Sequence, residues 1–364
     1  MNIVASAPGK LVLLGEYAVL EGAPAITMAV DRRASVRLRS RADAACEAQA
    51  PDVLDAPLRF AIGSNGLPDW TAAGAAAAKL NLVDEVLRGL ADEQLGVAAG
   101  GGFDLALDTS AFFDAIGASR SKLGLGSSAA LTVALASALV AQSGHSDAAQ
   151  DRAVWLNRLL GLHRKFQGGQ GSGVDVATSL YGGVLSYRLP GGDAAPLAAP
   201  LAWPTGLHTA FIWSGCSAST PKFLSILRDW RRGNAANDAE YRARMDALTA
   251  TAQDAVAALA GGDSAGFLRC ASLYAQDLRA LGSASGVSIW SAEHEAIAAI
   301  ANAHDGAVYK PCGAGGGDVG VVFAMNPDSL AAVVAALAAS GFANVPLAVD
   351  PTGLRLTLSE SEEA

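Results

Sequence analysis

Lys122-Leu123-Gly124-Leu125-Gly126-Ser127-Ser128-Ala129-Ala130-Leu131 is the stretch around which the chain is organised, and Thr132 to Val140 continues it. Gly124 and Gly126 remove side chains where the backbone must turn tightly, and Leu131, Leu135 and Leu139 then recur at helical spacing. The spacing predicts a glycine loop opening a helix. Such a start leaves backbone N–H groups unpaired at the positive end of the helix dipole, which suits a phosphate chain, and Ser127 or Ser128 can add a hydroxyl or a metal contact. The Gly-Lys-Ser/Thr ending of the common NTPase loop is absent, because Gly-Ser-Ser stands in its place. Gly124, Gly126 and Ala129 do meet the loose Gly-x-Gly-x-x-Gly/Ala spacing of dinucleotide folds. That fold wants a strand running straight into the loop, and here the polar and aromatic connection Asp108 to Ser121 separates the loop from the strand-like run Phe103 to Leu107. The loop alone leaves open an ordinary turn before a buried helix.

Composition narrows the classes. The 364 residues are enough for a large core and two domains. Hydrophobic residues make up 51%, yet alanine carries much of this and no run reaches membrane length, so a soluble protein is expected. No apolar segment of signal-peptide type follows Met1, and Cys46, Cys216, Cys270 and Cys312 sit singly, as reduced thiols in a cytoplasm would. A net charge of −9 argues against nonspecific binding to nucleic acid or to an anionic membrane. An anionic small substrate remains compatible, since a few lysines and backbone amides can hold one locally.

At the N-terminus two apolar runs bracket Pro8-Gly9, which predicts strand, turn, strand, with Lys10 just past the turn. Ala25 to Val30 and Ala34 to Leu38 read as two further strands, Ala42 to Asp69 as loop, and Trp70 to Leu90 as an alanine-favoured helix. Asp151 to Phe166 reads as an amphipathic helix ending at Gly168-Gly169. The loop after it delivers Asp175 to the start of another apolar segment, where a carboxylate is either a helix cap or a base kept ionised by a cation such as Lys10. His163 is either structural or a second polar group at that place. Gly191 to Pro204 has the composition of a domain connection. A second unit then runs from the strand His208 to Trp213 through helices to the glycine cluster Gly313 to Asp318, the strand Val321 to Ala324 and a last strand near Leu354 to Leu358, before an acidic end expected to fray.

Pro8-Gly9-Lys10 with Gly15-Glu16-Tyr17, then Gly124 to Ala130, then Gly313 to Asp318 resemble, in order and spacing, the three motifs of the GHMP small-molecule kinases. The resemblance covers essentially the whole chain. It implies an α+β fold in which a mixed α/β N-terminal domain, residues 1–195, packs against a ferredoxin-like C-terminal domain, residues 196–364, with the active site in the cleft between them. It implies ATP as phosphoryl donor with Mg2+, the phosphates held by Lys122, Gly124, Leu125, Gly126, Ser127, Ser128 and Ala129, and the metal by Ser127 and Ser128. Asp175 becomes the base or orienting carboxylate and Lys10 its partner. Glu16, Tyr17, Ser172, Gly173, Ser217, Ser219, Thr220, Gly315 and Gly316 fall on the acceptor side.

Within the family the details are similar to the phosphomevalonate kinases. Tyr17 stands where mevalonate kinases usually have histidine, Lys122-Leu123 introduces the phosphate loop, and Gly171-Ser172-Gly173-Val174-Asp175 fits the phosphomevalonate kinase pattern. Arg164 and Lys165 occupy the region in which mevalonate kinases carry a metal-binding glutamate, a departure from that branch. The implied reaction is ATP-dependent phosphorylation of 5-phosphomevalonate to 5-diphosphomevalonate in the mevalonate route to isoprenoids, with a small-molecule partner and a homodimer left open. The alternatives are mevalonate kinase, another GHMP small-molecule kinase, and a non-catalytic sensor of ATP and a small molecule.

Overall fold

The computed structural model describes residues 1–116, 119–169, 171–191 and 194–359. The acidic end after Ser359 and the middle of the connection at Gly192-Asp193 lie outside the described residues. Alternating burial along Asn2–Leu14 (β1) and Pro24–Ser40 (β2) makes two long strands that pair antiparallel from Asn2↔Arg39 to Leu14↔Ile26. Pro8-Gly9 is not a turn. The register shifts between Pro8 and Gly9, so this dipeptide sits at a bulge within one continuous strand, and the two strands expected at 25–30 and 34–38 are one. Proline lacks a ladder donor, and a bulge is where a strand tolerates it.

Short strands occupy the stretch expected to be loop: Ala45–Gln49 (β3), Leu58–Ile62 (β4) and Pro68–Asp69 (β5). The helix expected from Trp70 breaks in two. Thr71–Leu80 is 3-10 turn with a kink at Gly74, and only Asn81–Asp92 (α1) is α-helical, burying Leu82, Val83, Val86, Leu87 and Leu90. Alanine propensity alone does not hold a helix whose side chains find no core to pack on. Phe103–Asp108 (β6) leads into the hairpin Phe113–Ile116 (β7) and Ser119–Lys122 (β8). Ser127–Gln142 (α2) is apolar on all sides and buried, Arg152–Phe166 (α3) is capped by the Asp151 side chain, and Val174–Tyr181 (α4) follows the glycine loop. Val184–Arg188 (β9) and Leu197–Leu201 (β10) complete one edge, giving the order β10-β9-β2-β6-β3-β4-β5 with β1 on β2.

The second sheet has the order β12-β13-β11-β14, from His208–Trp213 (β11), Ala307–Pro311 (β12), Val319–Ala324 (β13) and Ala343–Val345 (β14). Helices Thr220–Gly233 (α5), Ala235–Ala260 (α6), Ser264–Ser285 (α7) and Ala292–Ala301 (α8) join β11 to β12, and Pro327–Ala339 (α9) joins β13 to β14. This is the ferredoxin-like arrangement. The last strand, Arg355–Ser359 (β15), leaves that sheet and pairs with β1 from Asn2↔Ser359 to Ser6↔Arg355, and β10 likewise lies on the first sheet. One apolar core runs through both sheets, from Ile3 and Leu139 to Phe267 and Phe323. A smaller one, with Ile212, Ile297, Val322 and Leu337, fills the other face of the second sheet. Among the described residues no helix is long and apolar enough to cross a membrane.

Candidate active site

The loop over residues 122–126 takes its shape from two left-handed glycines, Gly124 at φ 71° and Gly126 at φ 75°. Gly126 caps α2, whose fourth residue, Ala130, makes the first helical bond back to Gly126 O, so the N–H groups of Ser127, Ser128 and Ala129 are left to other acceptors. Gly126 also lacks a side chain because others crowd it: a Cβ there would lie 3.2 Å from Lys10 Cε and 3.6 Å from Asp175 Cβ. Lys10 and Asp175, from β1 and α4, therefore converge on the start of α2. The backbone fixes this approach, since Lys10 N–H donates to Leu125 O at 2.9 Å while the Leu125 side chain is fully buried. Ala129 is also buried and offers the loop only its backbone. Ser127 is buried, and Ser128 Oγ lies 3.2 Å from His163 Nε2. Burial holds the His163 imidazole below its ordinary pKa against the opposing pull of the Asp175 carboxylate.

On one side of this junction opens a cavity of about 340 Å3, bordered by Lys10, Glu16, Tyr17, Ser172, Asp175 and Thr220, with Gly313 and Ala314 of the last glycine cluster as its far wall. Tyr17 O–H donates to Ala314 O at 2.6 Å, tying the first glycine motif to the third. Glu16 is buried and accepts from Lys310 Nζ at 2.5 Å; Lys310, fully buried, also donates to Pro311 O at 2.7 Å. Burial pushes the Glu16 carboxyl upward while Lys310 pulls it down. Tyr187 O–H donates to Ser172 O at 2.6 Å and holds the loop before Asp175. On the other side of the glycine loop over residues 122–126 lies a cavity of about 200 Å3, bordered by Leu82, Lys79, Lys122, Ser127, Ser128 and Phe166.

The structure thus gathers Lys10, Asp175, Lys122 and residues 124–129 around one helix start, with Glu16, Tyr17, Ser172 and Thr220 around the larger cavity. Five residues expected on the acceptor side, Gly173, Ser217, Ser219, Gly315 and Gly316, stand apart from its border. Ser217 and Ser219 are exposed on the loop before α5, and Gly315 and Gly316 are packed against Ile289 and Phe223 within the second unit. Gly173 lies under Ser172, pressed on Leu160. Two functional candidates escaped the sequence reading. Lys310 stands just ahead of the third glycine run and Asp318 ends it, and the sequence assigns neither a role. Asp318 is a non-glycine at φ 57°, and a Cβ at Gly124 would collide with its carboxylate.

Residues 81–183 match the GHMP kinases N terminal domain. Over 357 residues the chain is 32% identical to the phosphomevalonate kinase of Streptomyces sp. strain CL190, covering 88% of this chain and 89% of that protein. The mevalonate kinase of Thermococcus sibiricus is 27% identical over 231 residues, or 63% of this chain and 62% of that protein. The structure of Streptococcus pneumoniae phosphomevalonate kinase in complex with phosphomevalonate and AMPPNP shares the fold, with a TM-score of 0.73 at 18% identity over 95% of this chain and 99% of that one.

Proposed function

The chain belongs to the GHMP kinases and is a phosphotransferase, and from that premise we propose that it transfers the γ-phosphoryl group of ATP to the phosphate of 5-phosphomevalonate, forming 5-diphosphomevalonate. The observation that carries this reading is the convergence of Lys10 and Asp175 on Gly126, between a helix start able to hold phosphates and a cavity able to hold a small acceptor. The N–H groups of Ser127 to Ala129 bind the donor phosphates, and the nucleoside lies toward Leu82 and Phe166. Lys10 neutralises charge on the transferred group, and Asp175 orients the attacking oxygen. A phosphate acceptor is already ionised at neutral pH, so position and charge neutralisation outweigh base strength.

The Ser127 and Ser128 hydroxyls fit a magnesium ion bound chiefly through phosphates and water, as magnesium usually is, and no group of three His, Cys, Asp or Glu side chains gathers to cage one among the described residues. Such an ion supplies charge neutralisation at the phosphates.

Mevalonate as acceptor is the second reading, favoured by the Thermococcus relative and by a carboxylate beside Lys10 that could serve as a true base. A sensor without turnover has no need of that pair. The test is ADP release with magnesium and ATP, measured side by side on mevalonate and 5-phosphomevalonate. Turnover on the phosphorylated acceptor alone supports the proposal; turnover on mevalonate alone replaces it with the second reading. Silence on both, with ATP bound, rejects both acceptors.

A further inference from the structure

We propose that Asp318 is a positioning residue of the transfer centre, a second carboxylate that holds Lys10 from the side of the second sheet and, standing over Gly124, opposes the nucleotide phosphates until they displace it. The inference rests on the reading that residues 124–129 hold those phosphates.

Asp318 ends the third glycine motif and is pinned at both backbone ends to the loop after β11: its N–H donates to Cys216 O at 2.7 Å, and its carbonyl accepts from Ser214 N at 3.0 Å. These bonds hold it in the left-handed region at φ 57°, which asparagine, aspartate and glycine tolerate better than other residues. The pinned backbone aims the carboxylate at the phosphate loop, close enough that any side chain at Gly124 would strike it. Lys10, Gly124, Cys312 and Asp318 border one small cavity of about 50 Å3. Burial raises the Asp318 carboxyl, while the charges of Lys10 and Lys122 and the Ala218 N–H draw it back toward the ionised form. Lys10 therefore crowds Gly126 together with Asp175 and shares the small cavity at Gly124 with Asp318, one carboxylate from each half of the molecule.

A fixed negative charge at this place does two opposing things. It keeps the ammonium of a flexible side chain over the loop, and it repels a polyanion that must settle on the same N–H groups. Removing the charge should loosen Lys10 while easing nucleotide entry, a combination that damage to the loop would not produce.

The experiment compares the full-length wild-type protein with Asp318→Asn and Asp318→Gly, both compatible with the backbone angle. It measures dissociation constants for magnesium-AMPPNP by calorimetry, turnover on the acceptor, and thermal unfolding as a check of the fold. Expected are nucleotide affinity raised by about 5-fold in both variants and turnover lowered by about 10-fold, the pattern of a group that destabilises the ground state while serving the transition state. Unchanged affinity overturns the proposal. Weakened affinity also overturns it, and points instead to a carboxylate that helps hold the metal. If the wild-type protein binds no nucleotide, the phosphate-loop reading falls and the proposal with it; if the wild type binds and the variants bind alike, the proposal falls alone.

Discussion

Lys310 and Lys10 each meet carboxylates where the first and third glycine motifs approach one another, and their surroundings differ. Lys310 is fully buried at the root of the third motif, bonded to a buried Glu16 and to a carbonyl. Lys10 is half-buried at the edge of an open cavity that Asp175 also borders, and it shares a second, smaller cavity with Asp318. Two charges taken out of water cost much to bury, so a pair like Glu16–Lys310 serves by being kept together. A lysine still reached by solvent adds little to stability and keeps its charge free for a ligand. On the proposed function the two lysines separate the holding of the cleft from the chemistry in it, and this division can be tested from both ends.

The largest expected effect is on the buried side. Lys310→Met leaves the Glu16 carboxyl buried without a counter-charge and should cost about 3–5 kcal/mol of stability, read from urea unfolding. Glu16→Gln combined with Lys310→Met should recover most of that loss, because the cost lies in the orphaned charge. A loss under about 1 kcal/mol for the single variant would mean that water reaches the pair, and the contrast with Lys10 would collapse.

Next comes the support behind the third motif. His294 is buried, with Nε2 donating to Gly317 O at 3.1 Å and Nδ1 accepting from Tyr309 O–H at 2.7 Å, an arrangement that suits the neutral ring. Burial lowers its pKa from 6.5 to about 4. The unfolded chain then binds the proton more readily between those values, so the contribution is complete above about pH 6.5 and is lost as pH falls toward about 4. A loss of about 3 kcal/mol over that window is expected from unfolding curves at successive pH values, and His294→Gln should flatten it. An unchanged slope in the variant would assign the pH dependence to other groups.

On the open side the expectation reverses. Lys10→Met and Asp175→Asn should each lower turnover by about 100-fold or more, while unfolding free energies stay within about 1 kcal/mol of wild type. Near-full turnover in Lys10→Met would remove its assigned role.

Much of this was legible in the sequence, for reasons that also explain what was not. Glycine loops and helix starts are local, so residues 122–140 and 171–181 could be placed from their own neighbours. Long-range pairing leaves no local trace: nothing within Arg355–Ser359 says that its partner is Asn2–Ser6, and nothing within Leu197–Leu201 says that it closes the first sheet. The bulge at Pro8-Gly9 depends on thirteen residues of β1 running against β2, so a dipeptide that usually turns a chain does not turn this one. Lys310 and Asp318 were missed for the same reason. A lysine ahead of a glycine run and an aspartate at its end carry no role of their own until Glu16 and Gly124 arrive from some 200 to 300 residues away.

Tyr17 lies between the two regimes and sets the finest test. Its backbone is left-handed at φ 62°, its ring is buried, and its hydroxyl reaches Ala314 O at 2.6 Å while bordering the open cavity. Burial and the neighbouring Glu16 carboxylate raise its pKa, so the phenol stays protonated and remains a donor at neutral pH. Tyr17→Phe keeps the ring and removes one neutral hydrogen bond, leaving a carbonyl that cavity water can still reach. The expected cost is about 1 kcal/mol, near the usual net worth of such a bond. The acceptor KM should rise several-fold because Ala314 loses its tether, while nucleotide affinity, which the proposed function sets on the other side of residues 124–126, should hold. A stability loss nearer that of Lys310→Met with an unchanged KM would put Tyr17 with the buried support, and the boundary between holding and chemistry would then run along the cavity wall itself.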